Sequence, residues 1–322
     1  MAPPEVGREN SSKRHVMMAG VMAGLFSRFV IAPLDVVKIR LQLQWQNVPI
    51  FDQNPANLRV GPTYRGMFHT MQTIVAHEGI PGLWKGNVPA EMLYMAYGAA
   101  QFLAYRETSL MISKLPYNVN NNVKSFVAGA VAGGAATLVT YPLDLLRTRF
   151  AAQGNERVYM SLYHSVQNIY QHEGVKGFYR GSGAGIAQIV PYMGIFFCTY
   201  EASKAYLSIP HLDHQLPAGW SEATAGGFAA TVGKTCVFPL DLIRKRLQVQ
   251  GPTRERYVHR NIPVYKGIRS AAASIFRTEG VRGLYKGLTV SLVKAAPLSA
   301  VTMWSFEESL KLLKWMEPET VD

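Results

Sequence analysis

Long apolar stretches alternate with polar ones along this chain, and the polar residues that interrupt the apolar stretches recur at similar places. Residues 182–200 hold no charged side chain and residues 87–105 hold only Glu91. Each is long enough to cross about 30 Å of hydrocarbon as a helix. Stretches 15–44, 123–152 and 221–250 begin apolar and rich in Gly and Ala, then end in a charged cluster after a proline; a sixth, 288–310, is interrupted by Lys294 before its acidic end. Charged groups are costly in hydrocarbon, so these helices are expected to turn their charges toward a shared wet interior. The pattern predicts an all-α membrane protein with six transmembrane helices around a cavity.

Composition changes this picture only through its distribution. A net charge of +12 over 322 residues could signal nucleic-acid binding. However, 14 Lys and Arg residues lie in the three long connectors 45–86, 151–181 and 251–287, while the short connectors 110–123 and 207–221 hold Lys114 alone. That is the asymmetry of the positive-inside rule, and it puts the long connectors on the matrix- or cytosol-like side with both termini opposite. Cys198 and Cys236 follow no metal-ligand spacing and read as small buried apolar groups. Glu5 and Glu9, with no apolar run before residue 16, leave no visible secretory signal or transit peptide, so targeting is expected to be internal.

Self-similarity is the decisive signal. Pro33-Leu34-Asp35-Val36-Val37-Lys38-Ile39-Arg40 returns as Pro142-Leu143-Asp144-Leu145-Leu146-Arg147-Thr148-Arg149 and as Pro239-Leu240-Asp241-Leu242-Ile243-Arg244-Lys245-Arg246, at intervals of 109 and 97 residues. Each is followed by a second signature: Glu78-Gly79 then Trp84-Lys85-Gly86, Glu173-Gly174 then Tyr179-Arg180-Gly181, and Glu279-Gly280 then Tyr285-Lys286-Gly287. The coupled motifs divide the chain into an N-terminal segment 1–14, repeats 15–115, 116–215 and 216–315, and a tail 316–322. From about residue 15 to 312 the sequence resembles the mitochondrial carrier family. That resemblance implies three pseudosymmetric helix pairs with short matrix helices, in a functional monomer of the mitochondrial inner membrane with both termini toward the intermembrane space.

The motif chemistry supports a gate. A proline inside a helix removes a backbone donor and favours a kink, converging the ends of the three odd-numbered spans. Asp35 and Lys38 share a helix face, as do Asp144 with Arg147 and Asp241 with Arg244. One such pair is usually solvated; three in register point to a ring closing the matrix side. Threefold pseudosymmetry suggests Lys38–Asp144, Arg147–Asp241 and Arg244–Asp35. The resemblance adds a glutamine brace, matched by Gln42 and Gln248 but not Ala151. It also implies an opposite, cytoplasmic gate, matched fully by Tyr200, Glu201 and Lys204 and partly by Arg106 and Glu307. Lys204–Glu307 is the expected pair there, with Arg106 a second partner for Glu201.

Small residues four apart, Gly20 and Gly24, Gly129 and Gly133, Gly226 and Ala230, suggest close helix approach. Gly86, Gly181 and Gly287 open even-numbered helices whose free N–H groups suit phosphate. By resemblance these glycines, with Gly66 and Gly267 after Tyr64-Arg65 and Tyr265-Lys266, would hold cardiolipin headgroups; the middle repeat has Tyr163-His164-Ser165 instead.

The cargo is read from the cavity level. Stepping back 13 residues from Arg106, Glu201 and Glu307 gives Leu93, Gln188 and Lys294; Ile189 adjoins the second. Five residues before each proline stand Arg28, Thr137 and Lys234. Lys294 is expected to be unpaired in mid-membrane, which makes it a functional candidate. Arg28, Lys234 and Lys294 around one chamber imply a polyanion such as a phosphate or diphosphate ester. Tyr94, Tyr97, Gln101, Tyr192 and Phe196 lie near that level, where aromatics can stack on a heterocycle or a ring cation. An adenine nucleotide or coenzyme A would use the same cations. A non-transporting receptor would be expected to lose gate charges or cavity cations, and here all three matrix pairs survive. With no P-loop, nucleophile elbow or His/Cys cluster, neither an enzyme, a metal site nor a cofactor is expected.

Overall fold

The computed structural model describes residues 13–45, 64–114, 121–207, 220–259 and 262–316. In chain order the helices are α1 (Lys13–Leu43), α2 (Met67–Glu78), α3 (Asn87–Ser113), α4 (Asn121–Ala152), α5 (Leu162–Phe178), α6 (Ser182–Ala187), α7 (Ile189–Leu207), α8 (Trp220–Gln248), α9 (Ile268–Leu284), α10 (Leu288–Val293) and α11 (Ala295–Met316). The long odd spans α1, α4 and α8 run unbroken through Pro33, Pro142 and Pro239. The even spans are α3, α6 with α7, and α10 with α11. Short helices α2, α5 and α9 lie in the long connectors.

Two of the three even spans break, and proline explains which. Pro191 and Pro297 stand three residues after Gln188 and Lys294, the residues at which α6 gives way to α7 and α10 to α11. A proline ring there removes a backbone donor and crowds the carbonyl four residues earlier. The matching position in α3 is Ala96, and α3 is continuous. Both breaks therefore fall at the level from which the sequence reading drew its cargo residues.

The second signature has an equally local cause. Gly79, Gly174 and Gly280 take φ of 75°, 65° and 67°, so each short helix turns sharply after its glutamate. Gly86, Gly181 and Gly287 take φ of 84°, 81° and 86° as the residues preceding the even spans. Glycine is also required there by space: a Cβ on Gly86 would come within 2.7 Å of the Arg147 carbonyl oxygen, and on Gly181 within 3.1 Å of the Arg244 oxygen. Each even span thus begins against the gate residue of the next odd one.

The long helices pack as neighbours α3 with α4, α7 with α8, and α11 with α1, while the odd helices also meet one another. The buried apolar cluster lies at the motif end, joining Val37, Leu145 and Leu242 to Ile74, Ile169 and Ile275 of the three short helices. By length and hydropathy, three stretches qualify as membrane spans among the described residues: 15–43, 124–152 and 162–207. The expectation of six counts the remaining long helices too.

Two expectations need correcting. A Cβ on Gly20, Gly24, Gly129 or Gly226 would meet nothing within 4 Å, whereas Gly133 approaches Ile189 and Tyr97. Small residues are therefore used for close approach at Gly133, not throughout the repeat pattern. Cys198 and Cys236 are free and exposed rather than buried.

Candidate functional site

The three aspartates after the prolines do form a closed ring, but it circulates opposite to the expected sense. Lys38 Nζ lies 2.7 Å from Asp241, Arg147 Nη2 lies 2.5 Å from Asp35, and Arg244 Nη2 lies 2.8 Å from Asp144. Lys38–Asp144, Arg147–Asp241 and Arg244–Asp35 are replaced by these pairs. Three residues along a right-handed helix place the cation off to one side of its aspartate. Repeat symmetry does not say which neighbouring helix stands on that side; the packing does.

Each carboxylate holds a second cation. Lys294 Nζ is 2.5 Å from Asp35, Lys245 Nζ is 3.0 Å from Asp144, and Lys234 Nζ is 3.7 Å from Asp241. Six cations on three carboxylates leave a formal surplus of three positive charges. Lys294 is therefore not unpaired. Its partner comes from the opposite end of the chain, since α1 and α11 close the helix ring. The surplus is unevenly exposed: the side chains of Lys234 and Lys294 are 32% and 18% exposed, against 9% for Lys245.

Bracing also differs from repeat to repeat. Gln42 Nε2 donates to Asp241 at 3.2 Å and Gln248 Nε2 to Asp144 at 2.5 Å. At the Asp35 pair, where Ala151 replaces the glutamine, Arg147 Nη1 instead donates to the Tyr94 hydroxyl at 2.8 Å. The Arg28 guanidinium lies 3.7 Å from the centre of the same Tyr94 ring, a cation–π contact. Tyr94 thus joins Arg28 to the gate.

The remaining cargo-level residues have quieter surroundings. Thr137 is buried and donates to the Gly133 carbonyl at 2.7 Å. Leu93 is buried, Gln101 half-buried, and Gln188 has a buried side-chain oxygen without a partner. Ile189 and Tyr97 approach Gly133, while the Tyr192 ring packs on Gly233, the residue before Lys234. Tyr192, Phe196 and Tyr200 continue as an aromatic file with ring centres 6.1 Å apart at each step.

At the far end, Arg106, Glu201, Lys204 and Glu307 are exposed. Among the described residues neither Lys204–Glu307 nor Arg106–Glu201 forms an ion pair, so the expected closure is not made in this conformation. The motif end is tied by ion pairs, and among the described residues these far-end charges are not. Access from both ends at once would be a leak, and closure at both would trap the cargo, so this division suits alternating access.

Sequence reasoning missed a second ring beneath the first. Arg40, Arg149 and Arg246 are fully buried, and each is held by the glutamate of its own repeat: Glu78, Glu173 and Glu279. Each also donates to backbone carbonyls of the next repeat. Arg40 reaches Ala151 at 2.6 Å and Gln153 at 2.5 Å; Arg149 reaches Gln248 and Gln250 at 3.0 Å each; Arg246 reaches Gln42 at 3.0 Å and Gln44 at 3.1 Å. Lys85, Arg180 and Lys286 pair with the same three glutamates. Burial alone would raise the Glu78 carboxyl, but hydrogen bonds and charge from Arg40, then Lys85, outweigh it and hold the group below its ordinary value. The signal was present: a further basic residue two after the first one of the motif, and a Glu before Gly, recur in each repeat of this chain.

The glycines proposed for lipid have mixed surroundings. Gly66 and Gly287 line one recess of about 310 Å³ with Tyr64, Arg65 and Lys286. Gly86, Gly181 and Gly287 precede helix N-termini with no side-chain cap, leaving backbone donors without a capping oxygen. Gly267 precedes α9 in extended backbone, at φ 175°.

Three helix pairs around an interior gated by a repeated charge ring define a membrane carrier, and the family pattern described as Mitochondrial carrier protein matches residues 10–115, 118–210 and 217–317. The chain belongs to that family. Among its relatives, the Mitochondrial thiamine pyrophosphate carrier 1 of Aspergillus oryzae is 58% identical over 313 residues, covering 96% of each chain. The protein of the same name from Neosartorya fischeri is 58% identical over 309 residues, covering 95% of each. That from Coccidioides immitis is 54% identical over 318 residues, covering 98% of this chain and 97% of the relative.

Proposed function

We propose that this protein imports thiamine pyrophosphate across the mitochondrial inner membrane by alternating access, without an enzymatic step. The observation that carries the reading is the surplus of cations at the closed gate. Lys234 and Lys294 are second partners of Asp241 and Asp35, remain partly exposed, and lie at the cargo level. A diphosphate entering from the open end can take both lysines in charge-assisted hydrogen bonds, while each aspartate keeps Lys38 or Arg147. Arg28 over Tyr94 offers a third contact. Tyr94, Tyr97 and Tyr192 suit the pyrimidine and thiazolium rings, with Gln101, Gln188, Thr137, Leu93 and Ile189 completing the wall.

In this reading the matrix gate is Asp35, Lys38, Asp144, Arg147, Asp241 and Arg244, braced by Gln42 and Gln248. The cytoplasmic gate is Tyr200, Glu201, Lys204 and Glu307 with Arg106, open here. Both termini face the intermembrane space, consistent with the basic long connectors. Cardiolipin phosphates would sit at Gly66, Gly86, Gly181, Gly267 and Gly287, and nucleotides would serve as counter-substrates for a functional monomer. The relatives named for thiamine pyrophosphate support this choice over another nucleotide-like anion.

The test is uptake by the purified protein in cardiolipin-containing proteoliposomes, using labelled thiamine pyrophosphate and a panel of unlabelled competitors. Saturable uptake, displaced by thiamine pyrophosphate and not by thiamine, is expected. Uptake of ADP or coenzyme A with none of thiamine pyrophosphate would overturn the substrate assignment.

A further inference from the structure

One acidic side chain at the gate level belongs to no pair. Glu91 lies on α3 between Asn87 and Tyr94; both of its carboxylate oxygens are buried, its hydrogen-bonding neighbour is the neutral Asn87 of the same helix, and among the described residues it forms no ion pair. The long helices packed against α3 are α1 and α4. The charged groups they turn toward Glu91 are Arg28 and Arg147, with Asn87 the polar neighbour on its own helix. Both arginines are engaged elsewhere: Arg28 stacks on Tyr94, and Arg147 binds Asp35 and the Tyr94 hydroxyl. The corresponding positions of the other even spans, five residues after Gly181 and Gly287, are Ile186 and Leu292. Glu91 is thus not part of the repeated machinery.

A buried carboxylate with no ion-pair partner is costlier than the neutral acid. Opening the gate separates Arg147 from Asp35, leaving a guanidinium that needs an acceptor close to Glu91. The two groups therefore exchange needs between states: the carboxyl is best neutral when the gate is shut and best ionised when it is open.

Resting on the carrier reading above, we propose that Glu91 is the proton-binding group of the transport cycle. It takes a proton from water at the open end while Arg147 is held by Asp35. It gives that proton to water on the other side when the gate opens and Arg147 turns to its carboxylate. One proton then moves in the direction of the substrate in each cycle, and the O–H bond formed on one side is broken on the other.

The experiment is uptake into proteoliposomes holding a pH-sensitive dye, with acid-outside and acid-inside gradients, on the wild type and on Glu91→Gln. The anion used is whichever one the competitor panel shows to be carried, so loss of the thiamine pyrophosphate assignment leaves this test intact. The wild type is expected to acidify the lumen by about one proton per anion beyond the anion's own contribution, and to run at least several-fold faster with acid outside. Glu91→Gln, which keeps the neutral shape, is expected to retain substrate-induced thermal stabilisation but lose both the extra acidification and the gradient response. A wild type indifferent to the gradient, or a Glu91→Gln protein that keeps both responses, would overturn the proposal.

Discussion

The two ends of the chamber both carry charged side chains and use them differently. At the proline-motif end each of three aspartates is held by two cations, and two are braced by glutamine. At the other end Arg106, Glu201, Lys204 and Glu307 stand exposed, and among the described residues no ion pair joins them. Charge in the first region is part of the folded structure of this conformation, while charge in the second, on the reading proposed above, would pair in another. Buried pairs gain little net energy over apolar packing, but removing one partner is expensive. Mutations at the two ends should therefore separate stability from transport.

The largest effect is expected at Asp144. Asp144→Asn leaves Arg244 and Lys245 buried without a carboxylate, a loss of about 3–5 kcal/mol. Thermal unfolding in detergent should drop steeply and transport should be undetectable. Lys294→Met comes next and should act mainly on cargo: losing one charge-assisted bond of about 1.5–3 kcal/mol weakens substrate affinity roughly 10- to 100-fold, read by substrate-induced thermal stabilisation. Gln248→Ala removes a brace that touches Asp144, Lys245 and Thr148. It should lower stability by about 1 kcal/mol while the rate at saturating substrate holds or rises.

A smaller effect concerns pH. Burial, then the charge of Arg40, pushes His259 in the third long connector down to about 3 from an ordinary value of 6.5. Between these values the unfolded chain binds the proton and the folded one does not, so stability is lost as pH falls below 6.5. His259→Phe should flatten that slope by at most about 1.4 kcal/mol per pH unit, measured by thermal melts from neutral pH downward. The smallest effect on stability belongs to Lys204→Gln, within about 0.5 kcal/mol. Transport should nevertheless slow as the reserve gate loses a pair, and a large thermal shift at Lys204 would break the contrast between the two ends.

The fold was legible because proline, acid and base recur three times with a second motif in step, and each element of those motifs has a local cause. Pro191 and Pro297 were equally readable, although only their absence from α3 shows why that span alone is continuous. The membership of the charge ring was legible too, but its circulation was not, because Asp35 and Lys38 fix an angle on one helix and not the identity of the neighbour. Lys294 looked unpaired since its partner Asp35 is nearly a whole chain away in sequence. Arg40, Arg149 and Arg246 were quoted as part of a signature without a role; their task is to grip backbone carbonyls of another repeat, and such acceptors leave no mark in side-chain patterns.

The central claim is that Lys294 is shared between gate and cargo. It is tested most directly by the affinity for thiamine pyrophosphate of four purified proteins: wild type, Asp35→Asn, Lys294→Met and the double variant. If Asp35 competes with the diphosphate for Lys294, Asp35→Asn should bind about 10-fold more tightly, a gain of about 1.4 kcal/mol, and the gain should shrink or vanish in the Lys294→Met background. An unchanged or weakened affinity in Asp35→Asn, or an equal gain with and without Lys294, would contradict it.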